Sequence, residues 1–276
     1  GIDSNSGIYL NAASSTMTLS AGSGGLTLNG TGGAGTANLN RNGIQFDTAN
    51  RITLEATEGN INLTGTSYGN GGTTSNFRSA IWVTDELLTL KTNTSGNINL
   101  TGTARADDDD GIDTEGTNTI TAAGSGTISL SGTGDGTGGG LELDSTTITS
   151  NSGDITLTGQ RVTGTGIDLS EEDVTISSTT GNIILKADTV DLAGNNNALT
   201  SGAELTIQPY TDTTTISIGS TGGTLELLSS YFDGANQVFT NGFSQINIGA
   251  TSNTGGITVD SATVVEDNLY LKQGAG

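Results

Sequence analysis

Apolar and polar residues alternate along most of the chain in short stretches. In Gly59–Gly65, which reads GNINLTG, the alternation places Ile61 and Leu63 on one face and Asn62 and Thr64 on the other. A pleated strand with one buried side has this period of two. The pattern therefore predicts a strand in which Ile61 and Leu63 fill a core, while Asn62 and Thr64 face water.

The same stretch returns unchanged at Gly96–Gly102 and in looser form at 24–30, 126–132, 153–159, 181–187 and 255–261. The copies add Ile98, Leu100, Ile155 and Leu157 to the predicted core. A unit that recurs every few tens of residues is typical of a solenoid, a propeller or an array. The intervals between the copies are uneven, which indicates loops of different length between them.

Two all-β folds fit short strands that recur about every 8 to 12 residues, namely a sandwich or barrel and a parallel β-solenoid. In a solenoid each copy stacks on its equivalent about 4.8 Å away, so a repeated sequence lines up identical residues. Repetition therefore favours an all-β parallel β-solenoid with irregular coils. We expect loops to project at 66–79, 104–115 and 132–140, and an aromatic group to cover part of the core, comprising Tyr231, Phe232, Phe239 and Phe243.

Polar residues also recur within the unit. Asn60, Asn97 and Asn182 hold one position, and Asp154 holds it in another copy. Stacked Asn side chains can form hydrogen-bonded ladders, so we expect a ladder here. The glycines on either side of the strand are expected to supply the positive φ angles of sharp corners.

Composition changes the picture in one respect. Only 32% of the residues are hydrophobic and 44 are glycine, which by itself would favour disorder. The regular alternation argues against disorder, because many short strands can share a thin core. We expect residues 1–276 to form a single solenoid segment, and a piece of a longer chain, since Gly1-Ile2-Asp3 is in phase with Gly111-Ile112-Asp113.

Charge and missing residue types exclude several functions. The chain has 8 basic and 29 acidic residues and a net charge of −21, and its basic residues do not cluster. Nucleic acids and anionic membranes are therefore not expected as partners. No apolar stretch is long enough to insert into a membrane. Histidine is absent, which excludes an imidazole base or a His-ligated zinc, and we expect no enzymatic activity.

Two longer phrases, LTIQPYTDTTTISIG at 205–219 and GFSQINIGATSNTGGITV at 242–259, resemble the repeats of filamentous-haemagglutinin-like bacterial exoproteins. Together with the strand unit, the resemblance covers nearly the whole chain. It implies a right-handed parallel β-helix, secretion to the cell surface, and a role in adhesion, matrix or filament formation. It supplies no catalytic residues.

The acidic run DDDDGID at 107–113 is the strongest local signal of chemistry. Asp108, Asp110 and Asp113 lie around Gly111 and resemble part of an oxygen-ligand calcium loop. A solvated acidic loop is the competing interpretation. We predict that no cofactor is required and that calcium is the candidate ligand. A calorimetric titration in which Asp110→Asn fails to remove a calcium heat would refute the site.

The sequence predicts a structural and adhesive segment of a secreted cell-surface protein, forming a stiff rod or filament that displays loops. Expected partners are neighbouring coils of the same chain, identical subunits stacked end to end, and glycans or cell-surface receptors. The alternative is an extracellular β-helix that binds or cleaves polysaccharide. Its groove would need exposed aromatic and acidic residues, for which the chain offers Tyr68, Phe77, Trp82 and the acidic run, with a second acidic group at 171–173.

Overall fold

The computed structural model describes residues 5–12, 15–33, 41–47, 50–68, 79–84, 87–105, 109–161, 163–194, 196–234, 237–260 and 263–275. Within this part of the chain the regular elements are strands and one 3-10 turn, Ser229–Tyr231. The strands stack in long parallel sheets and wind as a right-handed parallel β-helix. The predicted fold class is confirmed.

Seven successive coils each contribute three strands. The strands are β1 (Ile8–Asn11), β2 (Met17–Ala21), β3 (Leu26–Thr31), β4 (Ile44–Asp47), β5 (Ile52–Ala56), β6 (Ile61–Thr66), β7 (Ile81–Thr84), β8 (Leu88–Thr92), β9 (Ile98–Thr103), β10 (Ile112–Thr114), β11 (Asn118–Ala122), β12 (Ile128–Thr133), β13 (Leu141–Leu143), β14 (Thr146–Ser150), β15 (Ile155–Gln160), β16 (Ile167–Asp168), β17 (Thr175–Ser178), β18 (Ile183–Ala187), β19 (Val190–Asp191), β20 (Ala198–Ser201) and β21 (Glu204–Gln208). The chain then continues through β22 (Ile216–Ile218), β23 (Leu225–Leu227), β24 (Gln245–Ala250), β25 (Ile257–Val259) and β26 (Leu269–Gln273).

Equivalent strands of successive coils form three long parallel sheets. Sheet 1 is β1-β4-β7-β10-β13-β16-β19, and sheet 2 is β2-β5-β8-β11-β14-β17-β20. Sheet 3 has nine strands in the order β26-β24-β21-β18-β15-β12-β9-β6-β3, and a small sheet joins β23, β22 and β25. With about 4.8 Å between neighbouring strands, sheet 3 extends about 38 Å along the axis.

The copies of the repeated unit lie directly on top of one another in sheet 3. Ile61 and Leu63 pair in register with Ile98 and Leu100. All four are buried, as are Ile155 and Leu157. Each buried Ile or Leu side chain contributes about 1.5–3 kcal/mol of transfer free energy, so the inner ladder is the main stabilising element of the coils. The predicted core assignment is confirmed.

Coil length varies most at one corner of the helix. Asn62 and Asn99 occupy successive rungs 37 residues apart, whereas Asn182 and Glu204 are only 22 residues apart. The largest differences in length lie in the segments that lead from sheet 3 to sheet 1. We call these segments the loop corner, and they are 32–43, 67–80, 104–111, 134–140, 161–166 and 188–189. From the second segment onward these connections shorten along the chain.

The predicted loops at 104–115 and 132–140 fall at the loop corner but are shorter than predicted, and the described ends of 66–79 lie at the same corner. The range 104–115 includes strand β10, and 132–140 begins inside β12. Residues 69–78 and 106–108 of the predicted loops lie outside the described residues. Ile112 was assigned to a loop because a single apolar residue among aspartates gives no alternation, yet its side chain is fully buried.

The glycines of the unit have a different role from the one predicted. Gly59, Gly65 and Gly102 do not have positive φ angles. Instead, a Cβ on Gly65 would overlap the backbone oxygen of Ala80, and one on Gly102 would overlap that of Gly111. Gly65 and Gly102 are required because the backbone of the loop corner passes against the end of each sheet 3 strand.

The predicted Asn ladder exists, but it runs from side chain to main chain. The Asn60 side-chain carbonyl accepts a hydrogen bond from the Asn97 N–H at 2.8 Å, and that of Asn97 accepts from the Thr127 N–H at 2.9 Å. Asp154 accepts in the same way from the Asn182 N–H at 2.7 Å. A side-chain amide pair occurs two residues further along each strand, where the Asn99 amide donates to Asn62 at 2.9 Å.

The aromatic group covers the irregular section of the core, as predicted. Tyr231, Phe232, Phe239 and Phe243 are all buried. Phe239 packs edge-on against Tyr231 and Phe232, with ring centroids 6.1 and 5.0 Å away respectively. The Tyr231 hydroxyl accepts a hydrogen bond from the Leu192 N–H at 3.2 Å, which ties this cluster to the seventh coil.

Candidate functional site

Four carboxylates lie in one row on the outer face of sheet 1. Asp113 in β10 pairs in register with Glu142 in β13, which pairs with Asp168 in β16, which pairs with Asp191 in β19. They alternate along their strands with residues such as Ile112 that point into the core, so they point outward. We call Asp113, Glu142, Asp168 and Asp191 the acidic row. Its members are spaced about 4.8 Å apart along the axis.

The first three coils carry other residues at this position, namely Tyr9, Gln45 and Trp82 in register with one another and with Asp113. Gln45 and Trp82 are buried although they lie on the outer side of the sheet. Asp113 is only 4% exposed. The outer face of sheet 1 is therefore shielded from solvent in coils two to four. The acidic row begins with Asp113 in the last of these coils.

The loop corner adds Asp110 to the row. The Ser79 hydroxyl lies 3.1 Å from an oxygen of Asp113 and 3.5 Å from one of Asp110, and so bridges the two carboxyl groups. The Gly139 N–H also donates to Asp110. Gly139 belongs to the next corner segment, so successive coils converge on the Asp110 carboxylate.

Burial and mutual repulsion change the protonation of this cluster. Burial is the largest cause and raises the pKa of Glu142 to about 7, that of Asp110 to about 6 and that of Asp144 to about 6. The charge of Asp110 raises the pKa of Glu142 further, and the charge of Glu171 does the same for Asp144. Burial also raises the pKa of Asp113 well above its usual range.

Arg161 is the cation that faces these acids. Burial lowers its pKa, and the charges of Asp110, Asp168 and Glu142 oppose that shift. Its guanidinium donates to the Thr165 carbonyl oxygen at 3.3 Å. The side chain also lines a cavity of about 250 Å³ next to Gln160, Asp188 and Thr224. Arg161 therefore connects the acidic row to a polar recess at the loop corner.

The structure brings two of the three predicted calcium ligands together. Asp110 and Asp113 share Ser79, while Asp108 lies outside the described residues. In the part of the chain that can be described, no group of three or more carboxylates has the geometry to hold a metal ion. The calcium site remains a prediction.

Of the aromatic residues named for a polysaccharide groove, only one of the two that the structure describes is exposed. Tyr68 is 37% exposed at the loop corner, but Trp82 is only 8% exposed and Phe77 lies outside the described residues. The second acidic group, Glu171, Glu172 and Asp173, forms an exposed turn between β16 and β17. It lies close enough to the row for the charge of Glu171 to raise the pKa of Glu142.

Sequence reasoning missed Glu142, Asp168 and Asp191 as partners of Asp113. Each follows an apolar residue at the start of a sheet 1 strand, in Gly111-Ile112-Asp113, Gly140-Leu141-Glu142, Gly166-Ile167-Asp168 and Thr189-Val190-Asp191. This recurring three-residue phrase was a usable signal. It was weaker than the seven-residue unit because its strands are only two or three residues long.

Comparisons with known proteins do not assign this chain to a family. No protein-family model, no curated protein and no solved structure matches this chain. The described residues include no helix with the length and apolar character needed to cross a membrane. The resemblance to filamentous-haemagglutinin-like repeats therefore remains a prediction from the sequence.

Proposed function

We propose that this chain is a structural and adhesive segment of a secreted bacterial cell-surface protein. In this proposal it works as a stiff rod that carries loops for contact with cell surfaces, matrix or biofilm. The observation that carries the proposal is the unbroken stacking of coils in sheet 3, from β3 to β26. Equivalent Ile and Leu side chains fill the inside of every coil.

The differences in length among the loop-corner segments support a role in displaying loops. Sheets 1, 2 and 3 keep a constant register through seven coils, whereas the loop corner changes in length from coil to coil. A rod with a constant core can carry loops of different length along one side, and the core fixes where each loop lies along the axis. The loop corner is thus the surface that we assign to contacts with partners.

The charge also fits an extracellular rod. A net charge of −21 keeps neighbouring rods apart by repulsion and favours solubility at high surface area. The same charge disfavours binding to nucleic acids, so the proposed partners are glycans, proteins or matrix polymers.

Immunogold electron microscopy of intact source cells tests the proposal. We expect an antibody against this chain to label fibres outside the cell envelope without permeabilisation. Protease treatment of intact cells should remove the label, while a cytoplasmic marker protein should survive as the control. Labelling that requires permeabilised cells would refute the proposed location and function.

The acidic row favours one second candidate, a β-helix that binds or cleaves polysaccharide. Raised pKa values are common where carboxyl groups act as acids or bases, and Glu142 and Asp110 have them next to Arg161. In a glycosidase one carboxyl group must be protonated near neutral pH while a second is ionised. Glu142 and Asp168 lie in register on adjacent strands, which places two carboxyl groups side by side.

A glycan array followed by a depolymerisation assay separates the two candidates. The second candidate predicts chain cleavage that Glu142→Gln abolishes and that the exposed control Glu58→Gln leaves unchanged. The rod proposal predicts that any bound glycan is released intact. Cleavage that depends on Glu142 would replace the structural proposal.

A further inference from the structure

A recess of about 250 Å³ lies at the loop corner, where the connection between successive coils changes in length. The segment 161–166 leads from β15 to β16 in six residues, whereas 188–189 leads from β18 to β19 in two. The longer segment therefore extends beyond the shorter one that follows it, and the next coil leaves part of its surface uncovered. We call the resulting cavity the polar recess.

Every described side chain that lines the polar recess is polar. These side chains are Gln160, Arg161, Asp188, Thr189 and Thr224, and three glycines complete the described lining. Pockets for drug-sized ligands are lined mostly by apolar side chains and have volumes of about 300–1,000 Å³. The polar recess is smaller, and its described lining offers no apolar wall. Its ligand is therefore expected to be small and polar on all sides.

Arg161 is held in place by the segment that it begins. Its guanidinium donates to the Thr165 carbonyl oxygen at 3.3 Å. Gly164 has a φ of 97°, and a Cβ there would overlap the guanidinium, so the Arg161 side chain packs directly on this glycine. The Arg161 Nε–H is buried and has no hydrogen-bond partner among the described residues. An unpaired buried donor is unfavourable, so a ligand that brings an acceptor to this side chain is favoured.

The segment that carries Arg161 is tied to the coils on both sides. The Thr163 hydroxyl donates to the Gly136 carbonyl oxygen of the preceding corner segment at 2.8 Å. The Thr189 hydroxyl, from the following corner segment, donates to the Gly164 carbonyl oxygen at 2.5 Å. The recess is thus formed before a ligand binds, which reduces the entropy lost on binding.

Asp188 provides a fixed acceptor in the same recess. Its carboxylate accepts hydrogen bonds from the Thr211 N–H at 2.7 Å, the Thr211 hydroxyl at 2.6 Å and the Thr214 hydroxyl at 2.7 Å. Burial raises the pKa of Asp188, but these hydrogen bonds outweigh burial and lower it. The carboxylate is therefore ionised at neutral pH and faces a ligand in a fixed orientation.

The charges around the recess favour an uncharged ligand. The charges of Asp110, Asp168 and Glu142 act on Arg161, and Asp188 lines the recess itself. These acids would repel a carboxylate or phosphate, in a chain whose net charge is −21. The guanidinium would repel a cation. A neutral molecule rich in hydroxyl groups avoids both repulsions, because each hydroxyl can accept from Arg161 or donate to Asp188.

We propose that the polar recess binds one neutral sugar unit of a glycan. Arg161 donates to the hydroxyl oxygens of the sugar, and Asp188 accepts from its hydroxyl protons. The Gln160 amide and the Thr224 hydroxyl can each donate and accept around the same ring. The inference rests on the proposed function, in which glycans are among the partners, and it specifies where on the loop corner a glycan binds and by what chemistry.

Titration followed by NMR tests the site. Methyl glycosides of glucose, galactose, mannose and N-acetylglucosamine are added to the whole chain, and backbone amide shifts are recorded. We expect at least one glycoside to bind with a dissociation constant on the order of 1 mM, as suits a single sugar ring. The largest shifts should occur at Gln160, Gly164 and Thr189. The methyl glucuronide should bind about fivefold more weakly than the glucoside, because the surrounding acids repel it.

Variants of the recess separate this site from general surface binding. Arg161→Gln should weaken binding about tenfold or more, because it removes hydrogen bonds from a charged donor. Arg161→Lys keeps the charge but not the planar fork of donors, and should fall between Arg161→Gln and the unmodified chain. The matched control is Arg51→Gln, an exposed arginine at the start of β5, which should leave binding unchanged.

A filling variant tests the recess without removing Arg161. Thr224 is exposed where it lines the recess, so Thr224→Trp should block sugar binding while the coils stay folded. Thermal unfolding checks the fold of every variant. Binding that survives both Arg161→Gln and Thr224→Trp would overturn the proposed site.

Two further results would contradict the proposal. The first is the absence of shifts with every glycoside at about ten times the expected dissociation constant. The second is equal or tighter binding of the glucuronide, which would overturn the selection of a neutral sugar. If no glycoside bound while surface fibres still carried the immunogold label, the recess would fail as a glycan site and the proposed function would stand.

Discussion

Glu142 lies between Asp113 and Asp168 in the acidic row, where ionisation is costly. A carboxylate with like charges on adjacent strands and restricted access to water is more stable when protonated. The pKa of about 7 expresses this preference. Ionisation of the row therefore lowers the free energy of unfolding as the pH rises. The effect arises on the outer face of sheet 1, away from the core that stabilises the coils.

The sign of the pH dependence follows from these shifts. The folded chain binds protons more tightly than the unfolded chain at Glu142, Asp110 and Asp144, so their contribution to stability is full near pH 4 and is lost as the pH rises through about 6 to 7. Asp188 acts in the opposite direction. Hydrogen bonds from Thr211 and Thr214 outweigh its burial and lower its pKa, so its contribution is lost only in more acidic solution.

We predict that Glu142→Gln raises the free energy of unfolding at about pH 8 by roughly 1–2 kcal/mol, after allowance for the partial exposure of the side chain. Near pH 4.5 the gain should largely disappear, because Glu142 itself is then protonated. Denaturant unfolding at the two pH values measures the difference, with the exposed Glu58→Gln as the control. A gain of equal size at both pH values would contradict the assignment of a raised pKa.

The Asn ladder gives a second test at the level of single residues. Asn97 accepts from the Thr127 N–H at 2.9 Å, and Asp154 performs the same task in its own coil. We predict that Asn97→Ala lowers the free energy of unfolding by about 1 kcal/mol, whereas Asn97→Asp retains most of it. Thermal unfolding of both variants compares them directly. Equal losses in the two would show that the acceptor oxygen is not what stabilises this position.

Single residues also show what sequence could and could not predict. The inward positions Ile61, Leu63, Ile98 and Leu100 followed from alternation alone, because the side-chain period of a strand is two. The direction of the Asn60 hydrogen bond did not follow, because it depends on which neighbouring group is nearest in the next coil. The burial of Trp82 and Asp113 on the outer face was also unpredictable, because alternation alone places both side chains in solvent.

At the scale of the strand, glycine marks where the loop corner touches sheet 3. Gly132 ends the GTISLSG unit and is buried, and a Cβ there would overlap the backbone oxygen of Gly140. Gly24 begins the unit in the first coil, and a Cβ there would meet nothing within 4 Å. The same residue type in the same repeat is therefore under very different constraint.

We predict that Gly132→Ala lowers the free energy of unfolding by about 2–3 kcal/mol or more, because neither backbone can move without disturbing its coil. Gly24→Ala should change it by less than about 0.5 kcal/mol, as expected for an open surface position. Thermal unfolding of the two proteins gives the comparison. A tolerated alanine at 132 would contradict the close backbone approach.

Strand-level prediction was best where the unit was long. The seven-residue copies placed β6, β9, β12 and β15 correctly, because each has three or more alternating positions. Sheet 1 strands such as β16 and β19 are two residues long. So short an alternation is hard to distinguish from a turn, and the acidic row that these strands carry was therefore not foreseen.

For the whole molecule, the repeat established a parallel solenoid, because only stacking in register makes identical copies neighbours. The uneven intervals correctly indicated loops of variable length. The location of the longest loops at one corner could not be deduced, because the sequence does not show which connection of a coil contains the extra residues. The proposed function likewise depends on a surface, the loop corner, that the repeat itself does not describe.

The most direct test of the coil register is intramolecular disulfide trapping in the cysteine-free chain. Thr101 in β9 and Ser131 in β12 are paired in register on the outer side of sheet 3, so the variant Thr101→Cys/Ser131→Cys should close a disulfide within one chain under mild oxidation. Thr101→Cys/Ser129→Cys, displaced by two residues, should remain largely reduced because its Cα atoms lie beyond about 7 Å. Equal oxidation of the two pairs, or none in either, would contradict the stacked parallel coils.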